Sequence, residues 1–153
     1  MREMAKEAHT PETEEYGIAS FVYERFRPFE PARFMKWMEN WPEQVVRAKG
    51  IIWLATRNSV AHNLSQAGPS VQIGPAGYWA AALPEEERAA LLTDEAAQVK
   101  HWDDRYGDRL NKVVFIGIDM DRERISKSLD RCLLTDQEML SDWSLFEDRL
   151  PNV

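Results

Sequence analysis

Cysteine, basic charge and long apolar runs are all scarce in this 153-residue chain, and each scarcity argues against a class of protein. Cys132 is the one cysteine, so no disulfide can form within the chain, and a reducing, cytoplasmic location is expected. The net charge of −7 disfavours nucleic-acid binding, because phosphate contacts dominate that affinity. The longest apolar runs, 51–55 and 78–83, are far shorter than the roughly 20 residues of a membrane span. No secretory signal pattern opens the sequence.

Motifs of nucleotide binding and hydrolysis are missing as well. A phosphate-binding loop needs the pattern G-x-x-x-x-G-K-[ST], whereas Lys49 precedes Gly50 and the order is reversed. Asn111 and Lys112 are followed by two valines, so the Asn-Lys-x-Asp motif that recognises guanine is incomplete. No serine lies in a G-x-S-x-G elbow. We therefore predict no catalytic residue and no GTP binding by this chain alone.

Metal-ligating residues are few and dispersed. Zinc sites use Cys and His at short spacing, but His9, His62 and His101 are far apart in the sequence. Cys132 falls on the apolar face of a predicted helix, where a thiol typically behaves as a small buried hydrophobe. We predict no metal site; His62 and His101 are the weak candidates, and a solvated loop is the favoured interpretation for His101 and the aspartates after it.

Hydrophobic patterning predicts an α+β domain. Apolar residues make up 44% of the chain, which is sufficient for a core. Residues 1–15 are polar and resemble a flexible linker, and 16–153 are predicted to form one domain. Strands are predicted over 17–26, 45–56, 113–119 and in short pieces within 64–83, with a polar turn region at 57–63. Helices are predicted over 31–41, from 84, over 94–102, from 121, where Asp121 can cap, and from 135, where Thr135 and Glu138 can form a capping box. This order has no repeated βαβ unit, so we expect a mostly antiparallel sheet of about four to five strands with helices packed on one face.

Two sets of side chains are candidates for contacting a partner. Tyr78 and Trp79 follow a Gly-rich segment, 74–77, that is predicted to be a turn, and an exposed aromatic pair there suits a protein interface. Arg47 and Lys49 point to the same side of a predicted strand, where they either meet an acidic partner or remain solvated at a sheet edge. Trp37, Trp41 and Trp53 are expected to pack in the core and not to form a ligand-stacking box.

Eight segments, in order over residues 16–143, resemble the C-terminal domain of CobW-type GTPases. They are 17–23 (GIASFVY), 27–31 (RPFEP), 47–50 with 53–55 (RAKG, WLA), 64–68 (LSQAG), 75–79 (PAGYW), 107–109 (GDR), 114–119 (VFIGID) and 132–139 (CLLTDQEM). Two positions depart from the family pattern: Glu30 stands where His is frequent, and Asn111-Lys112 where Gln and Glu often follow the Gly-Asp-Arg loop. Any metal-binding role of those positions is not carried over to this chain.

The resemblance implies a parent protein in which an N-terminal P-loop GTPase domain with a Cys-rich metal motif precedes this domain. Such proteins act as chaperones or insertases, mainly for zinc or cobalt, and some serve cobalamin synthesis. GTP and metal are thus expected only for the full-length parent, and no cofactor for this chain. The expected function is a non-catalytic interaction or regulatory domain whose partners are the GTPase domain and a metal-receiving client, with no nucleic acid or membrane partner. The alternative is a small-ligand or metal-binding module that uses His62, His101 and the 74–79 turn.

Overall fold

Five strands pair into one antiparallel sheet in the part of the chain that the computed structural model describes, residues 17–94 and 99–151. The strands are β1 (Ile18–Arg25), β2 (Val45–Ile52), β3 (Val60–Ala67), β4 (Ser70–Tyr78) and β5 (Asn111–Ile118). Their order across the sheet is β1-β5-β2-β3-β4, and every neighbouring pair is antiparallel. Strand β5 therefore lies between β1 and β2, and the predicted fold class is confirmed.

Three of the four described α-helices begin at a residue whose side chain caps the helix. They are α1 (Pro31–Glu39), α2 (Glu85–Thr93), α3 (Arg122–Asp130) and α4 (Asp136–Met139). Glu30 caps α1, and Asp121 caps α3 as its sequence position predicts. The predicted capping box at α4 is present: the Thr135 hydroxyl accepts a hydrogen bond from the Glu138 amide, and the Glu138 carboxylate accepts one from the Thr135 amide. None of the described helices has the length and hydropathy of a membrane span.

The core lies between one face of the sheet and the helices α1 and α3. Phe34 and Trp37 from α1 and Leu129 from α3 are buried against Tyr23 and Phe115 of the sheet. The inward positions alternate along β1 and β5, as the period of two requires. Burying each of these large apolar side chains stabilises the fold by about 2–3 kcal/mol.

The close approach of strands β2 and β5 requires glycine at position 50. A Cβ on Gly50 of β2 would lie 2.2 Å from the carbonyl oxygen of Lys112 and 2.5 Å from the Cα of Val113, both on β5. These are backbone atoms of the neighbouring strand, so only glycine permits the observed approach.

Several predicted boundaries around β3 and β4 are wrong. Strand β4 continues through 74–77, which the Gly and Pro content predicted as a turn, and a bulge between Ala61 and His62 accommodates it. An edge strand tolerates proline because one side of its backbone has no partner strand. Strand β3 begins at Val60, inside the region predicted as a polar turn. Of the helix predicted over 94–102, residues 95–98 lie outside the described residues, and 99–102 are not helical.

Candidate partner-binding surface

The second face of the sheet carries outward side chains that no described helix covers. We call it the open face, and its residues are Ile18, Ser20, Val22, Glu24, Arg47, Lys49, Ile51, Asn63, Ser65, Gln72, Lys112, Val114, Ile116 and Ile118. One end of this face is closed off, because Ile51 packs with a small cluster formed by Trp53, Trp79, Tyr106 and Trp143. Over the rest of this face, none of the helices in residues 17–94 and 99–151 packs on the outward side chains.

Arg47 and Lys49 lie at the centre of the open face. Arg47 is opposite Ile116 of β5, and Lys49 is opposite Val114 of the same strand. Their strand β2 is internal, so the interpretation that they are solvated at a sheet edge is wrong about the location. Both side chains are exposed, and neither forms a hydrogen bond or ion pair with any described residue. Two positive charges therefore lie on the open face without a counter-charge among the described residues.

Apolar side chains form a continuous band beside this cation pair. Val22 of β1 is opposite Val114 of β5, and Ile18 is opposite Ile118, with Ile116 between them. These four paired residues are 38–46% exposed, and Ile116 is half-buried. We call the five residues the apolar band. Clustered, exposed β-branched side chains of this kind are typical of interaction sites.

The charge of the open face is opposite in sign to that of the whole chain. Glu24 is its one carboxylate, and it lies 3.7 Å from the Lys112 ammonium group. No carboxylate of the described residues forms an ion pair with Arg47 or Lys49, although the chain has a net charge of −7. Their side chains, with Ser65, border a depression of about 270 Å³. The surface is thus complementary to a partner that presents carboxylates beside apolar groups.

Tyr78 and Trp79 do not form the exposed pair that the sequence predicts. Tyr78 is 68% exposed, whereas Trp79 is buried against Trp53 and Ala61 and its amide donates to the Ser59 carbonyl. The expectation that Trp79 is exposed is wrong, because consecutive extended residues point to opposite sides of the backbone. A role of Tyr78 in partner contact stays a prediction.

His62 is placed in a polar environment inside the fold. It is buried, and its Nε2 lies 3.5 Å from the Arg57 guanidinium. Burial and the nearby Arg57 charge both lower the pKa of His62. A neutral ring with its Nδ1–H directed at the Val60 carbonyl, 3.2 Å away, satisfies both nitrogens. These contacts indicate that His62 has a structural role in the fold.

His101 and His62 have different contacts among the described residues. Strand register places His62 opposite Pro75 of β4, whereas the His101 ring lies 4.4 Å from the Phe26 ring, just after β1. The described residues contain no group of three or more His, Cys, Asp or Glu side chains that could hold a metal ion. Of the set proposed for a ligand-binding module, His62 therefore lies beside the 74–79 segment, whereas the described contacts of His101 are with Phe26.

Cys132 is buried, as the sequence predicts, on the side of α1 and α3. Its Sγ lies 3.5 Å from the Arg33 carbonyl oxygen and 3.6 Å from that of Ser128. Burial raises the pKa of the thiol to about 11, so the thiolate that would bind metal or attack a substrate is disfavoured.

Two positions that depart from the family pattern have structural roles. The Glu30 carboxylate accepts hydrogen bonds from the amides of Ala32 and Arg33, at 3.0 and 3.1 Å, and so caps α1. Asn111 is fully buried; it accepts from the Trp53 amide at 2.7 Å and donates to the Arg27 carbonyl at 2.8 Å. Sequence reasoning missed Asn111, although a polar residue at an inward position of an alternating strand is a usable signal.

The Gly-Asp-Arg segment also joins loops together. The Asp108 carboxylate accepts hydrogen bonds from the amides of Ala80 and Ala81, and Arg109 donates to the Asn58 carbonyl at 2.7 Å. A Cβ on Gly107 would lie 2.4 Å from the Ala81 Cβ. Most family-like segments thus hold the fold together, and Arg47 and Lys49 are exceptions.

Fold and surface together define an α+β domain whose sheet is covered by helices on one face and open on the other. The sequence profile of the cobalamin synthesis protein CobW C-terminal domain matches residues 18–133, and the chain belongs to this family.

Longer proteins contain the same domain. The chain is 38% identical over 136 residues to a zinc-regulated GTPase metalloprotein activator of Dictyostelium discoideum, covering 86% of this chain and 28% of that protein. It is 30% identical over 134 residues to a zinc chaperone of Mycobacterium tuberculosis, covering 86% and 34%. The chain therefore spans about a third of the length of these relatives.

A solved structure has the same fold. The Zn(II)-bound YjiA GTPase from E. coli superimposes with a TM-score of 0.57 at 17% identity, covering 85% of this chain and 34% of that one. At this level of identity the likeness concerns the fold alone.

Proposed function

We propose that this chain acts as the non-catalytic C-terminal interaction domain of a GTP-dependent zinc chaperone and docks on the GTPase-bearing part of that protein. Zinc is the proposed metal because two relatives carry zinc in their names, and GTP is the proposed nucleotide because one of them is called a GTPase. A client that receives the metal is a second proposed partner. A link to cobalt or cobalamin synthesis rests on the family resemblance alone.

The observation that carries the proposal is the unpaired Arg47 and Lys49 pair at the centre of the open face. Charged side chains that make no contact within their own domain, on a surface with exposed apolar neighbours, suit recognition of an oppositely charged protein. The match covers 28% and 34% of the two relatives, so most of each polypeptide lies outside this domain and can supply a partner.

Binding to a GTPase region tests the proposal. The chain would be titrated into the GTPase-bearing region of the Dictyostelium relative, prepared without its own matching domain, while affinity and GTP hydrolysis are measured. We expect saturable binding and a changed rate of hydrolysis. Absence of both, with the chain shown to be folded by near-ultraviolet circular dichroism, would contradict the proposal.

Charge reversal provides the matched comparison. The double variant Arg47→Glu, Lys49→Glu is expected to weaken binding at least about tenfold, because like charges then face the acidic partner. The control is the double variant Lys36→Glu, Arg124→Glu, because it makes the same change of charge at two exposed residues of α1 and α3, on the helix-covered side of the sheet. Equal effects of the two changes would indicate nonspecific electrostatics.

A further inference from the structure

We propose that the open face binds an amphipathic helix whose apolar side lies on the apolar band and whose acidic flank meets Arg47 and Lys49. The helix would belong to the GTPase-bearing region of the parent polypeptide. This inference rests on the proposed function and specifies the surface and the partner's chemistry.

The dimensions of the apolar band fit a helix. Ile18 to Val22 on β1 and Val114 to Ile118 on β5 each span four residue steps, which is about 13 Å along a strand. Neighbouring strands lie about 4.8 Å apart, so the apolar band is two side-chain rows wide, with one row from β1 and one from β5. An α-helix rises about 1.5 Å per residue and presents an apolar stripe about 100° wide, so roughly nine residues cover the band.

The cation pair is placed along one side of this band. Lys49 is next to Val114 and Arg47 is next to Ile116, so a helix lying over β5 has both charges on the same flank. The two residues are two positions apart on a strand, which separates them by about 7 Å. Acidic residues at positions i and i+4 of a helix are about 6 Å apart. One such pair can therefore meet both cations.

Charge disfavours the other occupants of the face. A second copy of the chain, related by a twofold axis, would bring a second Arg47 and Lys49 pair into the same contact, and like charges repel. A nucleic acid would meet the two cations but also the field of a chain with a net charge of −7. The acidic, amphipathic protein helix satisfies both the charged and the apolar part of the face.

Substitution of Val114 tests the surface in the binding assay described above. Val114→Glu should weaken binding to the GTPase-bearing region at least about tenfold, and the milder Val114→Thr about threefold. The control is Leu145→Glu, because Leu145 is 80% exposed and lies outside the open face; it should stay within about twofold. Thermal unfolding verifies that each variant is folded, and the Thr variant preserves the β-branched shape if Glu disrupts the strand.

A crosslink identifies the occupant. A photoreactive amino acid at position 116 should capture a segment of the GTPase-bearing region that is helical and carries acidic residues four positions apart, whereas one at position 145 should not. Capture of a strand, a loop or a second copy of this chain would overturn the proposal. The proposal would also be overturned if the unaltered chain binds a DNA duplex and the Arg47→Glu, Lys49→Glu variant does not.

The outcomes separate the two proposals. Binding that survives both Val114 variants but is lost in Leu145→Glu would overturn the open face as the docking site and leave the proposed function intact. If the unaltered chain neither binds nor changes GTP hydrolysis, both proposals fail.

Discussion

Arg57 and Asp148, 91 positions apart in the sequence, form a two-point ion pair that holds the C-terminal segment on the domain. The Arg57 Nε donates to Asp148 Oδ2 at 2.9 Å, and its Nη2 donates to Oδ1 at 3.1 Å. The same guanidinium donates to the carbonyls of Leu150 and Pro151, at 2.8 and 2.9 Å. The Leu150 side chain is buried in the core. The segment after residue 133 lies beyond the family match, and this contact makes it part of the fold.

Removal of the Asp148 carboxylate is expected to destabilise the protein. The side chains of Arg57 and Asp148 are only 17% and 15% exposed, so Asp148→Ala leaves a largely buried guanidinium without its counter-charge. We expect the free energy of unfolding in urea at neutral pH to fall by about 3 kcal/mol. Glu147→Ala is the control, because Glu147 forms a solvent-exposed pair with Arg149 and its loss should cost below about 0.5 kcal/mol. Similar losses for the two variants would refute the buried-pair argument.

Glu138 gives the stability a defined pH dependence. Its hydrogen bonds from Arg33, at 2.6 and 3.1 Å, are the main cause that lowers its pKa from 4.5 to about 2. Since the pKa is lower in the folded state, this contribution is complete above about pH 4.5 and is lost as pH falls towards 2. Glu138→Gln retains a capping-box residue but removes the charge, so the slope of unfolding free energy against pH should decrease in this window. Gln137→Ala on the same helix should leave the slope unchanged; an unchanged slope for Glu138→Gln would contradict the prediction.

Replacement of Asn111 should destabilise the protein even when the new side chain is apolar and similar in volume. Asn111→Leu leaves the Trp53 amide and the Arg27 carbonyl without their partner in a buried site. Each unsatisfied group costs about 1–3 kcal/mol, so we expect a total near 3 kcal/mol and a melting temperature about 10 °C lower. Asn63→Leu, at an exposed position of β3, should change it by no more than about 2 °C. A small effect at Asn111 would mean that water replaces the amide.

The Cys132 thiol should react slowly while the protein is folded. With its pKa at about 11 instead of 9, the thiolate fraction at pH 8 is about 100-fold smaller, and burial restricts access further. A chromogenic disulfide reagent should therefore modify Cys132 rapidly only after denaturant is added. Immediate stoichiometric modification of the native chain would show that the thiol is exposed.

Local interactions explain why much of the helical structure was predictable. The Asp121 cap, the Thr135–Glu138 capping box and the apolar face of α1 each depend on residues within one or two turns. The order of strands and helices follows from similar short-range patterns. The extent of β4 was not predictable, because Gly74 and Pro75 favour a turn locally and are held in a strand by pairing with β3.

The sequence by itself determined the order of the elements, the helix caps, the burial of Cys132 and the family to which the domain belongs. Only the tertiary structure decided that β5 lies between β1 and β2, because strand pairing over such distances leaves no local signal. That pairing places Arg47 and Lys49 at the centre of an open face next to the apolar band. Tertiary packing also buries Asn111 and Trp79, whose surroundings come from segments distant in sequence.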